Sequence, residues 1–435
     1  MQKNRRFCLL IRDALSPKIR RMTRNAKTTG GRALLFMILI PLLTILAMAL
    51  LFEAGLRIAG YNPLSSMAKG GSGSRFFLKK SEDPILRVEL NPGYQGVVDR
   101  VRLVINSRGM RGRELPEDKD GHVRIALIGD SIALAKSIPD EEIFATRLER
   151  MLQAVNPRYE VLNLGTDSYD TVQEVLSLKY KGLAFAPDVV VVCYCLNDIG
   201  ITPLDMAFIQ TFIQPYIPPL YRFRVSQWIY LRLRRLKASS LFKKQLELVG
   251  AFGDFYGDLF PPAEKDAFLE EQFKTIAENQ RNFAAVVNYD RKRTVLDHRG
   301  SLWLNQYADL KSIGKLRYAF KELAAMAEAR GFKVVVAVIP FLYKLKGHYL
   351  DLPAHKIVVH QAKAFKLEVV DLFKKFNAAG FKGLGLDGVH LSARGHEVMA
   401  EALFVELGRL FFPDVDQAAR DRLSETDGGR EPDRP

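Results

Sequence analysis

Ile125-Ala-Leu-Ile-Gly-Asp-Ser131 (IALIGDS) decides the fold: four apolar residues in a row, then a turn tripeptide, then a helical segment over Glu141–Val155. A continuous apolar run, rather than an alternating one, is what a strand covered on both faces requires. Four further runs share this character: Val161–Leu164, Val189–Cys195, Val334–Ile339 and Val369–Leu372. Helical periods lie between them, as in Phe144, Leu148, Met151, Leu152 and Val155, or Leu316, Phe320, Leu323, Met326 and Ala327. This alternation predicts an α/β fold, a three-layer αβα doubly wound parallel sheet. In such sheets ligand sites form at the carboxyl ends of the strands, so chemistry is sought there.

Outward from this core, the composition sets limits. The chain has 435 residues, more than the usual single domain of ~100–200. At 48% hydrophobic and 26% charged it suits a packed core and excludes collagen-like or wholly disordered classes. Its three cysteines exclude a disulfide scaffold. The net charge of +15 suggests nucleic acid until its distribution is read. Residues 1–32 hold ten Lys/Arg against Asp13 alone, so +9 of the total sits in one arm. Residues 33–52 (ALLFMILIPLLTILAMALLF) follow without a charge, and at 1.5 Å per residue they cross a ~30 Å hydrocarbon core. Pro41 is tolerated in such a span. The basic flank predicts a cytoplasmic N-terminus and an extracytoplasmic remainder, periplasmic in a Gram-negative cell. A cleaved signal peptide, with Ala47-Met48-Ala49 as its site, and a buried soluble helix are the rival readings.

Residues 53–82 read as a linker, with SSMAKGGSGS at 65–74, and 83–123 as a small β-rich leading segment. The main domain is expected over 124–412 and a disordered tail over 413–435. Three strand ends carry candidate chemistry. Ser131 follows the first, where a strand-to-helix turn can expose a hydroxyl beside backbone N–H groups. Gly165 follows the second and Asn197 the third, the latter able to donate to a developing oxyanion. Near the C-terminus, Asp387-Gly388-Val389-His390 puts a carboxylate three residues before an imidazole. There it can hold Nδ1–H and leave Nε2 free as a base. Each feature alone has a plain reading as a turn, a cap or a surface loop. Their shared placement points to nucleophilic acyl transfer.

The GDS at 129–131, Gly165, Asn197 and the DGVH at 387–390 resemble the four blocks of SGNH/GDSL-type hydrolases, over about residues 124–410. Ile105–Gly109 and Gly112–Glu114 resemble the leading segment of membrane-anchored bacterial members. The resemblance implies a flavodoxin-like sheet, Ser131 as nucleophile, His390 as general base and acid, and Asp387 as its orienting partner. It also implies an oxyanion hole from the N–H groups of Ser131 and Gly165 and the Asn197 side chain. Two departures stand out. Cys195 sits where members commonly have a glycine, and residues 132–136 (IALAK) lack the glycine often found there. The implied activity is hydrolysis of O-acyl esters, O-acetyl above all, on cell-surface carbohydrate or lipid. An O-acetyltransferase acting on exopolysaccharide, or a catalytically silent envelope subunit, are the alternatives.

The remaining candidates are plainer. Cys193 and Cys195 share a strand face and read as buried thiols. Asp130 reads as support for the turn. His122, His298, His348, His355, His360 and His396 lack metal-ligand spacing, and no cofactor is expected. The stretch 199–331 reads as a long insertion and possible lid. Within it, 222–244 holds eight basic residues and no acid, interleaved with aromatics, which suits lipid headgroups or an acidic polymer. Nucleic acid is not expected, since no recognised binding motif appears.

Overall fold

The computed structural model describes residues 17–60, 77–83, 85–200, 223–229, 259–289, 304–344 and 347–427. The chain forms two units, one of residues 1–66 with 217–235, the other of 67–216 with 236–435. The first unit is built on helix α1 (Pro17–Ile58), which runs through Pro41. Within it, Phe36–Ile58 has a mean hydropathy of 2.4 and is long and apolar enough to cross a membrane. Its large apolar side chains are exposed, as in Leu42, Ile45 and Leu51, which a buried core helix would not show.

The second unit opens with two antiparallel pairs, β1 (Leu78–Lys80) with β2 (Val88–Leu90) and β3 (Gln95–Val98) with β4 (Val101–Val104). The predicted linker therefore ends too late. Phe77 and Leu78 are fully buried, and a strand forms where 53–82 was read as linker. The main sheet comprises β5 (Val123–Gly129), β6 (Tyr159–Asn163), β7 (Val189–Cys195), β8 (Lys333–Ile339) and β9 (Glu368–Asp371). All are parallel, in the order β6-β5-β7-β8-β9. Every residue of β7, VVVVCYC, is buried, as a central strand of β-branched residues should be.

The helices are α2 (Ser131–Leu134), α3 (Phe144–Gln153), α4 (Thr171–Tyr180), α5 (Ala267–Tyr289), α6 (Leu310–Arg330), α7 (Leu352–Ala364), α8 (Phe373–Ala379), α9 (Ala393–Phe411) and α10 (Pro413–Asp427). Helices α3, α8, α9 and α10 pack among themselves, as do α4, α5, α6 and α7, giving the two outer layers. Start signals are explicit. Asp170 and Gln173 form a capping box on α4, and Asp309 accepts from Lys311 and Ser312 at the start of α6.

Two further expectations change. Residues 413–427, read as tail, form α10, because Val415 and Ala419 are buried beneath an otherwise polar surface. The predicted insertion 199–331 is shorter than read, since α5 and α6 belong to the helical layers and α6 is the crossover into β8. The basic arm before residue 17, the stretch 65–74 and most of 222–244 lie outside the described residues.

Arg124, fully buried on β5, ties the amino ends of the sheet. Its guanidinium donates to Glu160 Oε2 and to the carbonyls of Pro116, Glu117, Asp118 and Phe185. Removing one partner of a buried ion pair costs about 3–5 kcal/mol, because the other charge is left uncompensated. Arg124→Ala should therefore lower unfolding stability by about that amount, read from the urea midpoint at unchanged slope. A midpoint equal to wild type would show that Arg113, 3.4 Å from Glu160 Oε1, is partner enough for that carboxylate.

Candidate active site

Strand β5 ends at Gly129, where a Cβ would stand 2.8 Å from Ala133 Cβ and 3.0 Å from Cys193 Cβ. Only glycine lets the chain turn this tightly into α2. Asp130 caps that helix, its Oδ1 accepting from Ile132 N at 2.8 Å. Ser131 thus occupies the first helical position, where a backbone N–H has no partner within its own helix.

The structure brings Ser131, His390 and Asp387 together. Ser131 Oγ lies 3.0 Å from His390 Nε2, and His390 Nδ1 lies 2.9 Å from Asp387 Oδ2. The other oxygen of Asp387 accepts from the backbone N–H groups of Val389 and His390, both at 2.7 Å. That geometry fixes the carboxylate and sets the imidazole with Nδ1–H toward it. The loop is anchored in turn by Leu342 N–H to Gly388 O and Leu386 N–H to His390 O, both 2.8 Å. Ser392 caps α9 directly after it, accepting from Gly395 N. The site stays reachable, with the His390 side chain 39% exposed.

The charges are organised to match. Burial alone pulls the His390 pKa down, but the hydrogen bond and charge of Asp387, with Asp130 behind, outweigh it and the net shift is upward. Burial raises the Asp387 carboxyl, yet the His390 contacts and two backbone donors hold it well below the usual carboxylate range. Behind the serine lies a set of buried acids, of which the sequence reading named Asp130 and missed Glu174 and Asp198. Asp130 Oδ2 accepts from Asn197 Nδ2 at 3.0 Å and lies 3.2 Å from Ser131 Oγ. Deeper still, Glu174 and Asp198 are fully buried side by side. Burial pushes both pKa values up, helped at Glu174 by the charges of Asp130 and Asp170 and at Asp198 by those of Glu174 and Asp130.

The three groups expected as oxyanion donors lie about α2. Ser131 N–H heads α2, and the Asn197 amide has one hydrogen beyond the one given to Asp130. The Gly165 N–H donates to Asn163 Oδ1 at 2.9 Å. Gly165 lacks a side chain for a steric reason. A Cβ there would stand 2.4 Å from Leu134 N and 2.6 Å from the Ala133 carbonyl carbon, so the loop passes flush against α2. Asn163 joins the two by donating to Ala133 O at 2.7 Å.

Arg111, from the leading segment, closes the far end of α2 and was likewise missed. Its buried guanidinium donates to the carbonyls of Leu134, Ala135 and Ile138 and to Asp140. Ala135 stands where the glycine-free stretch 132–136 needs one, at φ 50° and ψ 39° in the left-handed region. Cys195, the other departure, is buried as a neutral thiol, and its N–H donates to Asp198 Oδ2.

The other candidates take structural places. His396 is buried and accepts from Phe144 N, its pKa lowered to about 3 by burial and by Arg111 and Arg147. His355 is buried between Tyr349 and Asp371. A cavity of about 740 Å³ lies between the β3–β4 hairpin and α3, lined by Arg102, Asn106, Arg113, Thr146 and Glu149. It does not include Ser131, Asn197, Asp387 or His390. Among the described residues, no group of three or more His, Cys, Asp or Glu is placed to hold a metal ion.

No family model matches this sequence, and no curated protein does either. Solved structures with some likeness include Axe2, an acetylxylan esterase from Geobacillus stearothermophilus, at 13% identity and a TM-score of 0.35, over 67% of this chain and 97% of that one. LAE5, an α/β hydrolase enzyme from the metagenome of Lake Arreo, Spain, matches at 13% identity and 0.35, over 66% and 95%. The acetyl xylan esterase AlAXEase matches at 14% and 0.34, over 66% and 100%.

Two outcomes are expected. Any rate that needs neutral His390 should fall on its acid side at a pKa above the ordinary ~6.5, and Asp387→Asn should move that limb down while cutting kcat by about 10³–10⁴. A limb unmoved by Asp387→Asn would separate Asp387 from His390 in function. Gly165→Ala should force α2 away from the loop, lowering both Tm and the rate of Ser131 modification by a fluorophosphonate. Wild-type values for both would mean the loop yields freely.

Proposed function

We propose that this chain is a membrane-anchored serine ester hydrolase of the SGNH type. The observation that carries the reading is the hydrogen-bonded chain Ser131–His390–Asp387 at the carboxyl end of β5. Ser131 Oγ attacks the ester carbonyl carbon while His390 Nε2 takes the hydroxyl proton. Asp387 holds the imidazole's orientation and stabilises the imidazolium that forms. The carbonyl oxygen becomes an oxyanion that accepts from Ser131 N–H and Asn197 Nδ2. Collapse breaks the bond to the alcohol oxygen, which leaves with the proton from His390. Water then attacks the acyl-serine, giving its proton to His390, and the acid departs as Ser131 Oγ recovers a proton. Hydrolysis and transfer differ only in whether water or another hydroxyl arrives second.

The apolar helix over 33–52, with a basic arm before it, supports anchoring with the N-terminus cytoplasmic and the α/β unit outside. O-acetyl esters of cell-surface carbohydrate or lipid are the substrate class that suits this placement.

Full-length protein in detergent, assayed with p-nitrophenyl acetate beside its Ser131→Ala variant, tests the reading. Ser131-dependent release of nitrophenol is expected, and Asn197→Ala should lower kcat by about 10²–10³. Labelling of Ser131 by a fluorophosphonate without hydrolysis would favour a transferase. Folded protein showing neither would leave the silent envelope subunit.

A further inference from the structure

Part of the long stretch between β7 and α5 returns to the apolar helix. Residues 224–229 form a helical turn within the same unit as α1. Val225 N–H donates to Glu53 Oε2 at 2.9 Å, and Arg224 Nη1 donates to Leu56 O at 2.8 Å. Trp228 meets Phe52 edge to face, with ring centroids 5.7 Å apart. These contacts explain why Glu53 is only 7% exposed on a helix whose other faces are open. They also answer a need of α1, since the last carbonyls of a helix lack partners and an arginine there satisfies both the hydrogen bond and the dipole.

The depth of the turn follows from α1 itself. Residues 33–52 carry no charge and span ~30 Å, the thickness of a hydrocarbon core. Glu53 and Arg57, ion-paired at 2.7 Å, are the first charges after it and so belong at the headgroup boundary. Whatever is bonded to Glu53 and Leu56 lies at that same level. We infer that residues 223–229 are seated in the bilayer interface that holds α1, with Trp228 and Phe52 at the boundary between headgroups and acyl chains. The inference rests on the anchored reading of α1.

The side chains fit this occupant. Trp at the junction of apolar and polar zones is the usual interfacial anchor. Phe223 and Ile229, 53% and 46% exposed, offer apolar surface at the ends of the turn, and Arg57 and Arg224 suit anionic phosphates. The surrounding sequence 222–244 carries eight basic residues without an acid, so the complementary surface is anionic phospholipid.

The chain has two tryptophans, Trp228 and Trp303, which makes depth measurable. Full-length Trp303→Phe is reconstituted into vesicles of equal parts phosphatidylcholine and phosphatidylglycerol, brominated either near the headgroup or near the chain end. Trp228 should show blue-shifted emission, quenched more by the shallow bromines than by the deep ones. Glu53→Ala in that background should reduce the quenching by releasing the turn. Trp228→Phe, which keeps Trp303, should lose the shallow-quenched component and serves as the second variant. Water-like, unquenched emission from protein that floats with the vesicles would overturn the inference and leave the anchor standing. Stronger quenching by the deep bromines would also overturn it. Protein that does not float removes the anchor and the inference together, while Ser131-dependent hydrolysis remains a separate result.

Discussion

Helix α2 is one turn long, and everything at the site depends on that turn being held from outside. Four residues of helix are far too few to be stable alone, since nucleation costs more than one or two hydrogen bonds return. The support comes from three directions. Asp130 caps the start, Asn163 holds the Ala133 carbonyl in the middle, and Arg111 gathers the Leu134, Ala135 and Ile138 carbonyls at the end. Leu134 meanwhile packs in a small apolar cluster with Phe77, Leu90, Leu103 and Ile105. The leading segment is therefore part of the frame that positions Ser131 rather than an appendage to it.

Electrostatics behind the serine follows from the same crowding. Three carboxyl groups, on Asp130, Glu174 and Asp198, are packed out of water around the ends of β5 and β7. Leaving all three ionised would set like charges against one another in a low dielectric. Burial raises the pKa of each, Glu174 and Asp198 well above the ordinary carboxylate value. Asp130 accepts from both Ile132 N–H and Asn197 Nδ2, while Asp198 accepts from Cys195 N–H. Asp130 is the member of the set best able to bear charge, and that charge contributes to the upward shift of His390.

Residue runs made the sheet legible. The five apolar stretches of Val, Ile and Leu predicted strands that begin and end within two residues of those observed, because burial on both faces leaves little choice of residue type. Ser131, Asn197, Asp387 and His390 were legible for a related reason: each sits at a strand end or before a helix cap, a place visible in local pattern. What stayed hidden was pairing across the chain. Nothing near Arg111 announces that its partners are the carbonyls beyond Ser131. Nothing near Asn163 shows that its amide reaches the Ala133 carbonyl, thirty residues back. Residues 413–427 misled by composition, since two buried side chains among many polar ones suffice to dock α10.

Ser131 and His390 are separated by 259 residues. A ribosome adding about 5–20 residues per second needs roughly ten to fifty seconds to cover that distance. During that interval β5 exists without the His390 loop, and the Ser131 hydroxyl has no imidazole beside it. Only when the last loop and α9 have emerged can the imidazole reach Oγ. On the proposed reading of an anchored ester hydrolase, the order of synthesis acts as a built-in delay, keeping the nascent chain inert until the His390 loop has been made.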